Sequence, residues 1–285
     1  MRENPLVDSP WNKLRLSISE FDEDFHIQFT DEEIERFYLP LAGHLIERLG
    51  GRSRFIAGIA GPPGSGKTSL SRLLARVIDH VLGIEKVAVH IGMDGWHYPN
   101  TYLETHDYLT DGIRKPLKEI KGAPQTFDLH SFRTFIEFVR IGKPESYPIY
   151  SRKNHDVLPG VGKISPPTRF FLCEGNYLHL DVNGWQDVAK AFDLRIFIDA
   201  PDTILRIALR NRHLRGGKDA ALVENFIEEV DLKNAALVQE KRLPADIEIE
   251  KLDEVRIGEI RYLTDWKPQY QPDVSLQPEK PDREY

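Results

Sequence analysis

The stretch GPPGSGKT at residues 61–68 decides the fold. It matches the pattern G-x-x-x-x-G-K-[ST], whose glycines let backbone N–H groups turn toward nucleotide phosphates. The pattern requires a buried strand before it and a helix after it, because the helix N-terminus adds positive charge there. Residues 55–60 form a short apolar run typical of a buried strand, and residues 70–82 have helical periodicity. This context favours a triphosphate-binding loop over a chance glycine-rich turn.

Strand and helix patterns alternate along the chain beyond the loop. Alternation of this kind indicates a mostly parallel sheet with helices on both faces. We therefore predict an α/β fold of the P-loop NTPase class, with three layers (α/β/α). Further strands are predicted at 86–91, 169–173, 194–198 and 246–249, and helices at 132–139, 202–213 and 220–240.

An amphipathic helix is predicted before the loop, at residues 31–49. Thr30 and Glu33 have the spacing of a capping box, apolar residues follow at steps of three and four, and Gly50 with Gly51 ends the pattern. We therefore expect an N-terminal helical extension, a kinase-type domain with a lid, and a tail rich in proline and charge. The predicted boundaries are 1–53 for the extension, 54–252 for the domain, 206–220 for the lid and 253–285 for the tail, whose last stretch is 264–285.

The amino-acid composition and the net charge limit the kinds of partner that we expect this chain to bind. The 285 residues are 40% hydrophobic and 29% charged, with a net charge of -7, so a nucleic-acid partner is not expected. No run approaches the ~20 apolar residues that a membrane span needs, and the single cysteine, Cys173, permits no intramolecular disulfide. We expect a cytoplasmic protein that binds no membrane, and we leave open a homodimer formed through residues 1–50.

The loop predicts ATP and Mg²⁺ as cofactors. Lys67 should reach the β- and γ-phosphates, and Thr68 should offer its hydroxyl to magnesium. A GTPase would need an N-K-x-D element after the loop, and the sequence contains none there. The predicted nucleotide-binding residues are Gly61, Pro62, Pro63, Gly64, Ser65, Gly66, Lys67, Thr68, Ser69 and Arg210.

Two acidic residues follow predicted strands. Asp94 lies 27 residues past Lys67, and Glu174 ends the apolar run at 170–172. Strand C-termini gather at the ligand-binding edge of such a sheet, so Asp94 could accept a proton from a hydroxyl or hold magnesium through water. Glu174 could serve as a magnesium-side carboxylate. An Asp-Gly turn and a solvated strand end are the structural alternatives.

A basic segment is the candidate lid. It contains Arg206, Arg210, Arg212 and Arg215, and Gly216 follows with Gly217. Arginines stabilise the charge that develops during phosphoryl transfer, and a glycine hinge suits a segment that closes over a nucleotide. A solvated basic helix face is the alternative, and spacing does not choose among these arginines.

Several ordered motifs resemble the superfamily that contains phosphoribulokinase, uridine kinase and bacterial type I pantothenate kinase. The resemblance covers about residues 30–238 and is strongest to short, pantothenate-kinase-related bacterial kinases. Pantothenate kinases of this type usually have Val-Gly-Lys-Ser where this chain has Ser-Gly-Lys-Thr, and their C-terminal region, which helps build the acceptor pocket, is longer. The acceptors of the short kinases are poorly defined, so the resemblance does not specify pantothenate as the acceptor. The motifs are YLPL at 38–41, MDGWHYPN at 93–100, KGAPQTFD at 121–128, YPIYSRKNHD at 147–156, CEGNY at 173–177 and NRH at 211–213.

The resemblance implies roles for individual residues. Asp94 resembles the family's catalytic base, Arg212 its lid arginine and Glu174 its magnesium-side acid. The predicted catalytic residues are Lys67, Asp94 and Arg212. The predicted Mg²⁺ site consists of Thr68 and Glu174. The predicted substrate-binding residues lie on segments that match the family's acceptor pocket or within its motifs: His97, Lys121, Tyr150, Arg152, His155 and Asn176.

These inferences favour an ATP-dependent phosphotransferase that acts on a hydroxyl of a small metabolite. The acceptor would be a sugar, a nucleoside or a pantothenate-like acid. The alternative is a regulatory P-loop protein that uses the nucleotide as a switch and has no acceptor. A third hypothesis, nucleic-acid processing, is weak because of the net charge of -7.

Overall fold

A computed structural model describes most of the chain, including every motif quoted above. Residues 1–15 lie outside the described residues. So do residues 264–285, which were predicted as the last stretch of the tail. The structure describes residues 16–20, 23–27, 29–110, 112–182 and 184–263.

The described residues form twelve strands, nine α-helices and several short turns of other helix types. The strands are β1 Leu16–Glu20, β2 Glu23–Ile27, β3 Phe55–Ala60, β4 Ala88–Gly92, β5 Asp107–Thr110, β6 Ile113–Pro116, β7 Ser146–Ser151, β8 Asp156–Lys163, β9 Phe170–Glu174, β10 Leu194–Asp199, β11 Ile247–Lys251 and β12 Ile257–Tyr262. The α-helices are α1 Asp31–Glu33, α2 Leu39–Leu49, α3 Lys67–Leu82, α4 Asn100–Thr105, α5 Leu129–Arg140, α6 Trp185–Lys190, α7 Asp202–Arg215, α8 Ala220–Phe226 and α9 Leu232–Glu240. The π turns are Ile34–Tyr38 and Ile227–Asp231, and the 3-10 turns are Met93–Trp96, Leu117–Ile120 and Pro124–Thr126.

A six-stranded sheet in the order β12-β11-β10-β3-β9-β4 forms the centre of the fold. All neighbours are parallel except β12, which pairs antiparallel with β11. The predicted α/β class with a mostly parallel central sheet is confirmed. Because β12 lies beyond residue 252, the sheet continues into the segment predicted as a tail.

Helices cover both faces of this sheet. Along β3, Phe55 and Ala57 belong to one apolar cluster and Ile56 to the other, as the alternation of a strand requires. The first cluster includes buried residues of α2 and α3, and the second includes those of α5 and α6. This arrangement confirms the three layers.

The N-terminal helix begins as predicted and contains a wider turn. Thr30 and Glu33 form both hydrogen bonds of a capping box, and Gly50 follows the last residue with φ 52°. The π turn at Ile34–Tyr38 interrupts the predicted helix at 31–49. Pro40 lies two residues after this turn and has no N–H to donate to the carbonyl four residues earlier, which favours the widening there. The predicted helix at 220–240 likewise contains a π turn.

Three two-stranded hairpins were not predicted from the sequence: β1-β2, β5-β6 and β7-β8. The last of these pairs Tyr150 with Val157 and Ser151 with Asp156. It packs against the 3-10 turn that follows β4, and so it brings the YPIYSRKNHD motif to the edge of the main sheet.

Candidate active site

The glycine-rich loop joins β3 to α3, in the context that its motif requires. Gly64 and Gly66 adopt φ of 83° and 86°, a region that side-chain-bearing residues rarely enter. A Cβ on Gly64 would come within 3.0 Å of Leu209, so α7 lies directly over the loop. Ser69, predicted to bind nucleotide, borders a second, smaller cavity together with Gly66 and Lys251.

Lys67 is folded against the loop. Its side chain is buried, and Nζ donates a hydrogen bond of 2.8 Å to the carbonyl of Pro62. Burial lowers the pKa of Lys67 to about 8, while the charges of Glu174 and Asp94 oppose the shift. A phosphate beside Nζ would favour the charged ammonium for the same electrostatic reason.

Glu174 meets Thr68 where three strands end. The sheet register pairs Glu174 with Ile59 of β3 and with Gly92 of β4. Thr68 Oγ1 donates a hydrogen bond of 3.0 Å to Glu174 Oε1. Burial raises the pKa of Glu174, and the charge of Lys67 opposes that shift. A Cβ on Gly92 would lie 3.4 Å from Glu174 Oε1, so glycine keeps the space in front of the carboxylate open.

Asp94 lies in the 3-10 turn that follows β4, and 45% of its side chain is exposed. The next residue, Gly95, packs against the β7-β8 hairpin, where an added Cβ would lie 2.2 Å from the carbonyl oxygen of Pro148. Glycine at 95 therefore permits the hairpin to close over the turn that carries Asp94.

One cavity collects five of the predicted site residues. Thr68, Asp94, Glu174, Tyr150 and Arg152 all line it. Burial raises the pKa of Tyr150 to about 12, and burial followed by the charge of Arg212 lowers the pKa of Arg152 to about 9. The phosphate loop, the acidic pair and the hairpin residues therefore converge on one space.

His97 lies behind Asp94. Its ring packs between Phe127 and Tyr150, with centroids 3.9 Å and 5.4 Å away. Nδ1 lies 3.0 Å from the carbonyl oxygen of Asp94, so Nδ1 carries the proton of this hydrogen bond. Burial lowers the pKa of His97. This placement suits a residue that holds the Asp94 turn in position.

Lys121 fastens the hairpin turn to α4. Its Nζ donates to Asn100 Oδ1 at 2.8 Å and to the backbone carbonyl of His155 at 2.7 Å. Nζ also lies 5.0 Å from the ring centroid of Tyr150. The imidazole of His155 is exposed, and only the backbone carbonyl of this residue contacts Lys121. Lys121 and the His155 carbonyl therefore form a clamp that holds the hairpin turn next to the cavity.

Asn176 is half-buried in the loop that follows β9. The neighbouring Tyr177 donates a hydrogen bond of 2.6 Å to the carbonyl of Gly122. This bond joins the CEGNY motif to the KGAPQTFD motif and so holds the loop after Glu174.

The lid arginines differ in their partners. Arg206 forms an ion pair with Glu228, and Arg210 pairs with Glu224 at 2.5 Å, so both tie α7 to the helical segment after it. Arg212 is exposed and is not among the residues that line the cavity, but its charge adds to burial in lowering the pKa values of Lys67 and Arg152.

The cavity also contains residues that the sequence reasoning did not single out. These are Arg72, His90 and Tyr147, among others. Arg72 lies one helical turn after Thr68, and this i, i+4 spacing places both on one face of α3. That spacing is the signal that could have identified Arg72 from the sequence.

The described side chains and helices also bear on metal binding and on membrane insertion. Within the described part of the chain, no group of three or more His, Cys, Asp or Glu residues could hold a metal ion by itself. Magnesium in nucleotide sites commonly takes only one or two protein ligands, with phosphates and waters completing its shell. Among the described helices, none has the length and apolar character to cross a membrane.

The chain matches one family model, and several proteins with similar sequences carry the names of kinases. Residues 56–258 match the family described as Phosphoribulokinase / Uridine kinase family. The Escherichia coli (strain K12) protein named "Uncharacterized protein YggC" is 30% identical over 234 residues, which cover 80% of this chain and 92% of that protein. The Schizosaccharomyces pombe protein named "Putative uridine kinase C227.14" is 30% identical over 220 residues, which cover 75% of this chain and 91% of that protein.

A solved structure agrees with these matches. The crystal structure named "putative fructose transport system kinase", from Silicibacter sp. TM1040, is 32% identical in sequence, with a TM-score of 0.65. The similarity covers 73% of this chain and 97% of that one.

Proposed function

The chain belongs to the phosphoribulokinase and uridine kinase family, and from this premise we propose that it transfers the γ-phosphoryl group of ATP to a hydroxyl of a small metabolite. The observation that carries the proposal is the shared cavity. Thr68 and Glu174 line it beside the phosphate loop, and Asp94 lines it from the neighbouring strand end. Donor and acceptor groups can therefore meet in one cavity.

The donor half of the site is the loop with Lys67. In the proposed complex, the Lys67 ammonium leaves the Pro62 carbonyl and binds the β- and γ-phosphates. The loss of one hydrogen bond of 2.8 Å is offset by charge-assisted bonds to phosphate oxygens. The positive N-terminus of α3 acts in the same direction.

Thr68 and Glu174 would hold the magnesium ion. Their oxygens already lie 3.0 Å apart, and a hydroxyl with one carboxylate is a donor set that magnesium accepts. When bound, magnesium neutralises charge on the transferring phosphoryl group. The charge of Lys67 already opposes the rise in the pKa of Glu174, and any cation placed at this carboxylate would stabilise its charged form further.

The acceptor half of the site is centred on Asp94. The acceptor O–H donates to the Asp94 carboxylate, the hydroxyl oxygen bonds to the γ-phosphorus, and the proton passes to Asp94. The bond from the γ-phosphorus to the β,γ-bridging oxygen breaks, and ADP leaves. Arg212 and Lys67 stabilise the charge on the phosphoryl oxygens during the transfer.

The acceptor would be a sugar, a nucleoside or a pantothenate-like acid. One relative carries the name of a uridine kinase, and one solved structure carries the name of a fructose transport system kinase. The expected cytoplasmic location, the absence of a nucleic-acid partner and the homodimer through residues 1–50 stay predictions.

The proposal is tested by ADP release with fructose, uridine and pantothenate, each assayed with wild-type protein and with Asp94→Asn. We expect acceptor-dependent ADP release that falls by about 1,000-fold in Asp94→Asn, with ATP affinity changed less than about twofold. Asp187→Asn, an exposed aspartate of α6, is the matched control. Slow ATP hydrolysis that no acceptor accelerates and that Asp94→Asn does not change would instead favour the nucleotide-switch alternative.

A further inference from the structure

His90 lines the cavity and has no role in the phosphoryl transfer proposed above. It lies on β4, and its backbone carbonyl accepts a hydrogen bond of 3.2 Å from the Tyr147 hydroxyl of the β7-β8 hairpin. On the side of α3, its ring nitrogen Nδ1 lies 2.7 Å from Oγ of the buried Ser71. A strand, a hairpin and a helix therefore hold this residue in place.

The hydrogen bonds of Ser71 decide which nitrogen of His90 carries the proton. Ser71 Oγ donates to the carbonyl oxygen of Thr68 at 3.1 Å. A hydroxyl has one proton to donate, so Ser71 makes both bonds only when its oxygen accepts from Nδ1–H of His90. In a neutral ring, Nε2 is then a hydrogen-bond acceptor.

This Nε2 has no hydrogen-bond donor among the residues that the structure describes. Arg72 lies close enough for its charge to act on His90, yet its Nε and Nη1 make no hydrogen bond. Burial, and after it the charge of Arg72, lower the pKa of His90 well below the usual range, so the ring is neutral at pH 7. Nε2 therefore remains an acceptor that a bound ligand can use.

The position of Nε2 connects it with the proposed magnesium site. Nε2 lies 3.7 Å from where a Cβ on Gly92 would be, and Glu174 Oε1 lies 3.4 Å from the same point. Two acceptors therefore flank the space that this glycine leaves open. Ser71 also joins the His90 ring to the backbone of Thr68, the other residue of the proposed site.

Water bound to magnesium is the donor that best suits this space. Magnesium in nucleotide sites keeps several waters, and the charge of the ion makes their protons strong donors. The triphosphate offers oxygen acceptors and so cannot satisfy Nε2. An imidazole nitrogen is also a poor direct ligand for magnesium, which prefers oxygen, so a contact through water is favoured.

We propose that His90 is a positioning residue for magnesium, whose Nε2 accepts a hydrogen bond from a metal-bound water and holds the hydrated ion against Thr68 and Glu174. This inference rests on the proposed function and adds a residue to its metal site. Groups that orient the ligands of a metal without touching it contribute about 10- to 100-fold to its affinity.

Nucleotide binding without turnover provides the first test. The affinity for a non-hydrolysable ATP analogue is measured by calorimetry with excess Mg²⁺ and again with EDTA, and the ratio of the two affinities gives the contribution of magnesium. We expect His90→Phe to lower this ratio about 10- to 100-fold, with the affinity for the metal-free analogue unchanged. His130→Phe, at an exposed position of α5, is the matched control.

Two amide variants separate the nitrogens of the ring. Glutamine carries its amide about as far from the backbone as Nε2, whereas asparagine carries it only as far as Nδ1. His90→Gln should therefore retain most of the contribution of magnesium, and His90→Asn should lose it, also replacing the phenylalanine variant if that does not fold. Equal ratios for the glutamine and asparagine variants would contradict a contact through Nε2.

Ser71→Ala tests the fixed tautomer. Without the hydroxyl, the proton can move to Nε2, so the ratio should decrease, and adding His90→Phe should lower it no further than His90→Phe alone. Full additivity of the two changes would contradict a shared role.

Nitrogen NMR of isotope-labelled histidine rings tests the contact directly. The His90 signals are identified by their absence from His90→Gln. With the metal-free analogue bound, we expect a protonated Nδ1 and a bare Nε2. Mg²⁺ should then shift the Nε2 resonance toward that of a hydrogen-bonded nitrogen, and EDTA should reverse the shift. A proton on Nε2, or no shift with Mg²⁺, would overturn the inference.

The remaining outcomes distinguish this inference from the proposed function. A folded His90→Phe with the wild-type ratio overturns the inference and leaves the kinase standing. So does a variant whose only defect is a raised KM for the acceptor. A wild-type ratio near one contradicts the magnesium site and the inference together. A ratio that depends on His90, without any phosphorylated product in the acceptor assays, contradicts the kinase function and leaves the positioning role standing.

Discussion

Thr68 Oγ1 donates a hydrogen bond of 3.0 Å to Glu174 Oε1, across 106 positions of sequence. The bond joins the first turn of α3 to the last residue of β9. It exists because β9 lies between β3 and β4 in the sheet, so that the carboxylate emerges between the phosphate loop and the Asp94 turn. In the proposed site, Glu174 would therefore be the residue at which the donor and acceptor halves meet.

Glu174→Gln should separate function from stability. Burial raises the pKa of Glu174, so the ionised carboxylate destabilises the metal-free fold above its unfolded-state pKa. The glutamine variant should then melt at the same temperature or higher near pH 7. Its phosphotransfer rate should fall about 100-fold or more, with half-saturation at higher Mg²⁺ concentration. A variant with normal Mg²⁺ dependence would remove Glu174 from the proposed metal site.

ATP affinity should depend on pH through Lys67. The pKa of Lys67 is lowered to about 8, so the free protein loses this positive charge as the pH rises above 8. Bound phosphates favour the protonated form, so the affinity should decrease with pH and approach a tenfold loss per unit, the limit for release of a single proton. Lys67→Met should bind ATP weakly and show little change between pH 7 and 10. A wild-type affinity that is flat across this range would contradict the assignment.

The two lid arginines should behave differently. Arg212 acts electrostatically on Lys67 and Arg152, whereas Arg210 is paired with Glu224 on the exposed side of α7. We expect Arg212→Ala to lower kcat about 100-fold or more, and Arg210→Ala to change it less than about tenfold. Steady-state kinetics of both variants at saturating ATP checks this. The opposite order would support the sequence-based assignment of Arg210 to the nucleotide.

Gly95→Ala should loosen the acceptor side of the cavity. The new Cβ would lie 2.2 Å from the Pro148 carbonyl oxygen, so the β7-β8 hairpin has to move. Overpacking of this kind costs about 1–3 kcal/mol, which should lower the melting temperature by several degrees, and acceptor turnover should fall with it. Gly51→Ala is the control, because its Cβ would meet nothing within 4 Å. Equal melting temperatures for the two variants would contradict the described packing.

Local sequence signals explain what could be predicted. The strand and helix on either side of the glycine-rich loop and the capping box of α1 each depend on neighbouring residues, and the structure confirms them. Glu174 was identifiable because an acidic residue at the end of an apolar strand is unusual. These features need only short-range patterns and the rule that strand ends share one edge of the sheet.

The acceptor side was harder to predict because it is assembled from distant segments. In the sequence, Arg72 occupies an ordinary position within a helical pattern. Tyr147 belongs to a hairpin whose strand alternation of side chains is interrupted at Pro148. Lys121 and His155 were predicted as substrate-binding residues through family resemblance, and the structure shows them as a clamp next to the cavity. Their roles toward substrate stay predictions.

Transfer of labelled phosphate from γ-labelled ATP to a pool of metabolites tests the central claim most directly. The wild-type protein should label an organic acceptor in the presence of Mg²⁺, and Asp94→Asn should bind ATP without forming that product. Label that appears only as inorganic phosphate, or the same product formed at a similar rate by Asp94→Asn, would contradict a phosphotransferase that uses Asp94 as its base.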